Sequence, residues 1–106
     1  MINNKILGLL GISAKAGKIF FGADSVETQI QKRKIKLIII AEDSSDRTKK
    51  RFIEKAEKFE IPYLVTESID TISKSIGKSN KAIVGITDIN LAKQIQKIYY
   101  GGDVIG

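Results

Sequence analysis

The sequence predicts an α/β fold, a three-layer α/β/α sandwich in which a small mixed sheet of about four strands has helices on both faces. Two observations predict it. Segments with apolar residues at helical spacing alternate with short apolar segments along the chain. Two of the short segments, Leu37–Ala41 and Ala82–Thr87, are largely apolar and rich in β-branched residues. Such runs are typical of strands that helices cover on both faces.

The predicted elements alternate from one end of the chain to the other. Helices are predicted over Ile2–Lys15, Asp24–Lys32, Thr48–Phe59, Ser68–Ile76 and Leu91–Tyr99, and strands over Lys18–Phe21, Leu37–Ala41, Ile61–Val65 and Ala82–Thr87. Gly17 ends the first helix and Gly22 stops the first strand. Asp24 or Ser25 is expected to cap the second helix, because short oxygen side chains accept hydrogen bonds from the first free N–H groups.

The second half of the chain has its own start and stop signals. A polar loop at residues 42–46 precedes the third helix. Pro62 lies near the start of a strand, where its missing N–H costs little. Gly77 is expected to end the fourth helix and Asp88 to cap the last. Residues 1–100 are therefore expected to form one domain, followed by a short, frayed tail at residues 101–106.

The composition argues against catalysis. The chain contains neither cysteine nor histidine. Disulfides and thiolate metal sites are thereby excluded, and the commonest general base and metal ligand are missing. We expect a protein that is not an enzyme and that uses no metal and no cofactor.

One glycine-rich segment has a superficial likeness to a phosphate-binding loop. Five residues separate Gly11 from Gly17, where a P-loop has four, and Ile19 stands where the magnesium-binding Ser or Thr should be. No hydrophobic strand precedes the segment. We therefore reject nucleotide hydrolysis at this position.

Three carboxylates lie close together after the most apolar strand. Glu42, Asp43 and Asp46 occupy a position where α/β proteins often carry catalytic groups. Neighbouring residues on a strand point to opposite faces, however, and no nucleophile or histidine accompanies them. We favour loop hydrogen bonding and helix capping, and an enzyme with a pocket at these residues remains an alternative.

The charge is distributed unevenly. The formal net charge is +6, and residues 1–58 contain 13 of the 18 Lys and Arg but only 7 of the 12 Asp and Glu. Residues 59–106 contain 5 of each sign, so the whole surplus lies in the first half of the chain. Such a surplus favours an anionic partner, and the alternative is a solubilising surface.

Two glycine-containing segments are candidates for RNA binding. Lys18–Ser25 and Gly77–Lys81 each lie at a junction between helix and strand. Backbone N–H groups at a helix N-terminus attract phosphates. Basic residues cluster at the predicted end of the second helix and start of the third: Lys32, Arg33, Lys34, Lys36, Lys49, Lys50 and Arg51. Because the dipole at a helix start disfavours cations, the second group suggests an external anion. If both turns flank one edge of the sheet, that edge is basic and complementary to folded RNA.

Several segments together resemble the L7Ae/L30e superfamily of ribosomal proteins over nearly the whole chain. They are Gly17-Lys18-x3-Gly22-Ala23-x2-Val26, then Lys36–Asp43 (KLIIIAED) beginning fourteen residues after Gly22, then Ile61-Pro62-Tyr63, and Ile76-Gly77-Lys78 before Ala82-Ile83-Val84. In length the chain is similar to a stand-alone bacterial branch of this family.

The resemblance implies a single RNA-binding domain that recognises kink-turn RNA. It implies that the segment beginning at Gly22 enters the widened groove at tandem G·A pairs, and that Gly77–Lys81 contacts the flipped-out base. The implied contact residues are Lys18, Gly22, Ala23, Asp24, Ser25, Thr28, Lys32, Ser45, Lys49, Gly77, Lys78, Ser79 and Asn80. Structured RNA, including ribosomal RNA, is the implied partner.

The first contact segment departs from the family pattern G-x-N-E-x-x-K at three positions. Asp24 replaces Asn and does not donate a hydrogen bond, Ser25 replaces Glu and is shorter, and Thr28 replaces Lys and carries no charge. Lys32, one turn later, is the predicted substitute for the lost cation.

A protein–protein interaction adaptor that uses the same fold without RNA is the alternative function. A large exposed apolar patch would favour it. No segment approaches the ~20 apolar residues that cross a bilayer, and the N-terminal segment lacks a convincing basic leader and cleavage site. We therefore expect a cytoplasmic monomer without a membrane partner.

Overall fold

The computed structural model describes residues 3–101, in which helices and strands alternate. The helices are α1 (Asn4–Lys15), α2 (Ala23–Gln31), α3 (Asp46–Lys58), α4 (Ile69–Ser75) and α5 (Ile89–Tyr99). The strands are β1 (Ile19–Phe21), β2 (Leu37–Ile40), β3 (Tyr63–Val65) and β4 (Ile83–Ile86). The predicted helix start at Ile2 and the predicted tail after Gly101 lie outside the described residues.

The four strands form one mixed sheet in the order β1-β4-β2-β3. β2 and β3 are parallel, whereas β4 is antiparallel to both β1 and β2. Phe21 pairs with Val84, and Ile40 pairs with both Ile83 and Val65. The ends of β1, β2 and β3 and the beginning of β4 therefore lie at one end of the sheet. The predicted mixed sheet of about four strands is confirmed.

Helices cover both faces of the sheet and enclose two separate hydrophobic cores. On one face α1, α4 and α5 pack on side chains such as Leu37 and Ile39. On the other face α2 and α3 pack on the alternate residues Ile38 and Ile40. β2 is completely buried, because successive side chains of a strand enter opposite layers. The predicted three-layer sandwich is confirmed.

Gly85 in β4 allows the α2 layer to approach the sheet. A Cβ atom at this position would lie 2.7 Å from Cδ1 of Ile35 and 3.3 Å from Cγ1 of Val26. A larger residue would therefore require the side chains of Ile35 and Val26 to shift, so glycine at this position permits their close packing on the sheet.

Most predicted boundaries are correct to within two residues, and some of the caps are confirmed. Asp88 accepts hydrogen bonds from the N–H groups of Asn90 and Leu91 at 2.8 and 2.9 Å. At α4, Ser68 and Thr71 form a capping box that was not predicted. α3 begins at Asp46, two residues before the predicted start, because Ser45 is its N-cap. None of the helices within residues 3–101 has the length and apolar character needed to span a membrane.

Candidate nucleic-acid interface

Two turns meet at the end of the sheet where β1 stops and β4 starts. The first is residues 21–25, the junction between β1 and α2, and the second is residues 77–82, the loop between α4 and β4. The N–H of Gly22 donates to the carbonyl of Ile83 at 2.9 Å, and Phe21 pairs with Val84. We call these two segments together the turn edge. Both turns therefore lie side by side at the same end of the sheet, as the sequence predicts.

The N-terminus of α2 is open at this edge. Gly22 is its N-cap, with φ +89° and ψ +149°, and no side chain accepts a hydrogen bond from the first turn. Within residues 3–101, the other four helices have side-chain caps from Asn3, Ser45, Ser68 and Asp88.

The predicted caps of α2 are wrong, because helical geometry begins at Ala23 and places Asp24 and Ser25 inside the first turn. The N–H groups of these three residues have no acceptor within the described part of the chain. They are available to an anion or to a base edge.

The second turn is held in a fixed conformation. Gly77 has φ +72° and ends α4 in a Schellman motif, in which the N–H groups of Gly77 and Lys78 donate to the carbonyls of Lys74 and Ser73. The buried hydroxyl of Ser73 then accepts from the N–H of Lys81 at 2.8 Å. Asn80 has φ +55°. These bonds fix the backbone of the loop beside Gly22.

Phe21 joins the two turns through its ring. The Nζ atoms of Lys78 and Lys81 lie 5.0 and 5.3 Å from the ring centroid, which is within the range of cation–π attraction. The Nζ of Lys81 also lies 4.0 Å from the position that a Cβ atom at Gly22 would occupy. Two cations are thus placed over one aromatic ring, next to the open helix terminus.

The structure brings most of the predicted contact residues to this end of the sheet. Gly22, Ala23, Asp24, Ser25, Gly77, Lys78, Ser79 and Asn80 belong to the turn edge. Ser45 and Lys49 lie at the start of α3, which follows the end of β2. Thr28 lies one turn along α2, where its hydroxyl donates to the carbonyl of Asp24 at 3.0 Å.

Two predicted contact residues lie elsewhere. Lys18 precedes β1, about 13 Å of extended chain from Gly22. Lys32 is the C-cap of α2, about 15 Å along the helix from Gly22. The cation that the structure brings to Gly22 is Lys81, not Lys32. Lys32 is therefore poorly placed to substitute for the cation lost at Thr28.

Phe21 and Lys81 are absent from the predicted contact residues. Sixty positions separate them in the chain, and only the pairing of β1 with β4 brings them together. The available signal was their position, since Phe21 lies within the candidate segment Lys18–Ser25 and Lys81 within the candidate segment Gly77–Lys81.

Ser79 and Asn80 are exposed and line a groove between the second turn, α4 and the loop after β2. Asp43 and Ile69 form its other side. Asp43 Oδ1 also accepts from the N–H of Ile69 at 2.8 Å, so this carboxylate caps α4. Within residues 3–101 no group of three or more His, Cys, Asp or Glu is placed to hold a metal ion. The capping interpretation of this carboxylate is confirmed.

The segment with a likeness to a P-loop is not a loop. Gly11 lies inside α1, and Gly17, with φ +70°, follows the end of that helix. A phosphate-binding loop precedes its helix, whereas this segment forms and ends one. The rejection of a P-loop agrees with this geometry.

Of the cations Lys49, Lys50 and Arg51, Lys49 lies in the first turn of α3. Because α3 begins at Asp46, Lys50 and Arg51 lie beyond this turn, where the dipole effect has faded. Arg47, which precedes the predicted helix start, is a second cation in the first turn. The expectation of an external anion at Lys49–Arg51 therefore loses most of its support.

Comparison with known proteins identifies the family. The model of the ribosomal protein L7Ae/L30e/S12e/Gadd45 family matches residues 4–96. The chain belongs to this family. Two bacterial members of similar length, each described as RNA-binding protein YlxQ, are related in sequence. The protein from Bacillus subtilis (strain 168) is 33% identical over 87 residues, which cover 82% of this chain and 87% of that protein. The protein from Enterococcus faecium is 32% identical over 97 residues, which cover 92% and 93%.

Solved structures of similar fold extend the comparison. A protein of unknown function from Bacillus halodurans superimposes with a TM-score of 0.87 and 26% identity, covering 91% of this chain and 97% of that one. The Giardia lamblia 15.5kD RNA binding protein superimposes with a TM-score of 0.76 and 20% identity, covering 94% and 92%. The second match shows a common fold. The resemblance to the L7Ae/L30e superfamily that the sequence predicts is confirmed.

Proposed function

We propose that this protein binds structured RNA of the kink-turn type through the turn edge, and that it does so as a cytoplasmic, monomeric, non-catalytic protein. The observation that carries the proposal is the convergence of two fixed turns beside an uncapped helix N-terminus. The bacterial relatives described as RNA-binding proteins support it.

Each part of the turn edge has a distinct function in this proposal. The free N–H groups of Ala23, Asp24 and Ser25 donate to RNA in the groove at the bend, and backbone donors of this kind serve both phosphates and base edges. The carboxylate of Asp24 accepts from the amino group of a guanine. Lys78 and Lys81 neutralise phosphates that approach each other at the bend.

The groove beside Ser79 and Asn80 is the proposed position of the flipped-out base. Its walls combine the polar groups of the second turn with the apolar surface of Ile69. An unstacked base needs an apolar surface for its ring and polar partners for its edge. Ribosomal RNA is among the RNAs that contain such bends, and we include it among the proposed partners.

Filter binding of two RNAs tests the proposal. One contains a kink-turn with its tandem G·A pairs, and the other has Watson–Crick pairs in their place. We expect the first to bind at least about tenfold more tightly, a difference of about 1.4 kcal/mol, at a fixed salt concentration. Equal affinity for both RNAs would contradict kink-turn recognition, and no measurable binding to either would favour the adaptor alternative.

A further inference from the structure

α3 has a second concentration of positive charge, on the side that faces away from the sheet. Phe52 and Ala56 point inward and are completely buried. The outward side has a shallow groove along the helix, and its lining contains no apolar residue. The lining residues are Arg47, Lys50, Arg51, Glu54, Lys55 and Lys58. We call this set of five cations and one carboxylate the α3 face.

Two of the five cations are already paired. Glu27 of α2 binds Arg51 Nη2 through Oε1 at 2.6 Å and Lys55 Nζ through Oε2 at 2.7 Å. Arg47, Lys50 and Lys58 form no ion pair within residues 3–101 and are exposed. From the first to the last of these three, the helix rises about 16 Å. The α3 face therefore presents a row of unpaired positive charges.

The α3 face lies beside the turn edge. α3 starts where β2 ends, at the same end of the sheet, and it shares its layer with α2. The ion pairs from Glu27 join the two helices directly. An RNA that occupies the N-terminus of α2 and continues over this layer meets Arg47 first and Lys58 last.

The chemistry of the face favours a phosphate backbone over a protein partner. The centre of a protein interface is depleted in charged residues, whereas all six residues that line the α3 face are charged. Contacts to a nucleic-acid backbone need only cations in a row, without directional acceptors. A double-helical RNA stem presents such a row of phosphates along its shallow groove.

We propose that the α3 face binds the phosphate backbone of a double-helical stem that continues from the bend bound at the turn edge. This proposal rests on the proposed function, since the turn edge places the stem. Contacts on the α3 face add affinity and salt dependence but no sequence preference, because phosphates are the same in every base pair.

The test compares two kink-turn RNAs that share the same bend. One has short arms, and in the other both arms are extended by one helical turn. For wild-type protein we expect the extended RNA to bind more tightly. Its plot of log affinity against log salt should be steeper by about 2 to 3, because each neutralised phosphate contributes about 0.7 to 0.9 to the slope.

Two triple variants locate the effect. The variant Arg47→Gln/Lys50→Gln/Lys58→Gln should bind both RNAs with the same slope, while its affinity for the short RNA stays near that of wild type. The control Lys15→Gln/Lys93→Gln/Lys97→Gln removes the same charge from the opposite layer, on α1 and α5. It should keep the full effect of arm length. Glutamine preserves helix propensity, and circular dichroism checks that both variants fold.

The effect of arm length alone decides this proposal. Equal slopes for wild type on the two RNAs would overturn it, and so would an equal loss in the two triple variants. Replacing the G·A pairs of the short RNA tests the proposed function separately. If the protein discriminates between RNAs with and without the G·A pairs but its binding does not depend on arm length, the turn edge remains the proposed binding surface and the proposal for the α3 face is wrong. In that case an acidic protein is the next partner to test for this face.

Discussion

The turn edge and the α3 face both carry positive charge, but they differ in how firmly their binding groups are held. At the turn edge, Gly22 and Gly77 take backbone conformations that favour glycine, and buried Ser73 holds the second turn through the N–H of Lys81. On the α3 face, Arg47, Lys50 and Lys58 are exposed side chains on a regular helix, and no backbone hydrogen bond within the described part of the chain fixes their charged ends. The Nζ of Lys58 lies 5.7 Å from the centroid of the Phe59 ring.

The difference separates specificity from affinity. Hydrogen-bond donors fixed on a rigid backbone discriminate between RNA shapes. An RNA that does not fit them must rearrange in order to bind, and this rearrangement costs free energy. Flexible cations adapt to any row of phosphates and discriminate little. We therefore expect changes to the fixed backbone of the turn edge to affect which RNA is bound. Changes to lysine side chains at the turn edge, or to cations on the α3 face, should affect how salt weakens binding.

The largest effect is expected from Gly22→Val. The φ and ψ of Gly22 lie in a region that is essentially restricted to glycine, so valine there costs about 1 to 3 kcal/mol of stability and moves the start of α2. We expect filter binding to show a loss of about 100-fold in affinity for kink-turn RNA, which corresponds to about 2.7 kcal/mol. Urea unfolding measures the stability.

A second glycine provides the control for this variant. Gly17 has φ +70° and lies at the opposite end of β1, with nothing within 4 Å of its would-be Cβ. Gly17→Val should lose a similar amount of stability and keep its affinity for RNA. If both variants bind RNA equally well, the turn edge is not the binding surface.

A smaller effect is expected from Lys78→Gln/Lys81→Gln, which removes the cations over the Phe21 ring. The backbone of the turns should stay in place. Affinity should fall by about tenfold, and the salt slope by about 1.5, while discrimination between the two RNAs persists. A salt titration of filter binding measures both. Loss of discrimination would show that these lysines read the shape of the RNA, which contradicts the separation drawn above.

Ser73→Ala should have a still smaller effect on binding. It leaves the N–H of Lys81 without its acceptor and so costs about 1 to 3 kcal/mol of stability. The loosened turn should bind RNA about fivefold less well, which corresponds to about 1 kcal/mol. Hydrogen exchange at the Lys81 amide should become faster. The control Ser75→Ala, which removes a hydroxyl that donates to the carbonyl of Ile72, should leave that exchange unchanged.

The smallest effect concerns the pH dependence of stability at the α3 face. Hydrogen bonds from Lys55 and then from Arg51 lower the pKa of Glu27 below its usual 4.5. A carboxyl group whose pKa is lower in the folded state contributes stability above its unfolded pKa. That stability is lost as the pH falls through the folded pKa.

Glu27→Gln should therefore flatten part of the acid side of the stability curve. The effect should be below about 1 kcal/mol, since both ion pairs of Glu27 are partly exposed to solvent. Urea unfolding at a series of pH values measures it, with Glu54→Gln as the control for an exposed carboxylate on α3. A curve for Glu27→Gln that runs parallel to wild type down to low pH would show that these ion pairs contribute nothing.

Much of the fold was predictable because its signals are local. The apolar run Leu37–Ile40 indicates a strand buried on both faces, and Gly77 indicates the end of a helix. The turn edge was only partly predictable. Asp24 and Ser25 are good capping residues, yet the N-cap is Gly22, whose N–H is bonded to Ile83, two residues before Asp24 and three before Ser25.

Long-range contacts account for the remaining differences. Lys18 and Lys32 are close to Gly22 in sequence but lie at the far ends of β1 and α2, whereas Lys81 is distant in sequence and adjacent in space. The order of strands decides which cations share an edge, and no local pattern encodes that order.

Mapping of backbone amide chemical shifts during a titration with kink-turn RNA tests the central claim most directly. The account predicts the largest changes at the amides of Ala23, Asp24 and Ser25 and of residues 78–81, with smaller changes along the outward side of α3. It is contradicted if those amides keep their shifts while the changes fall on α1 and α5.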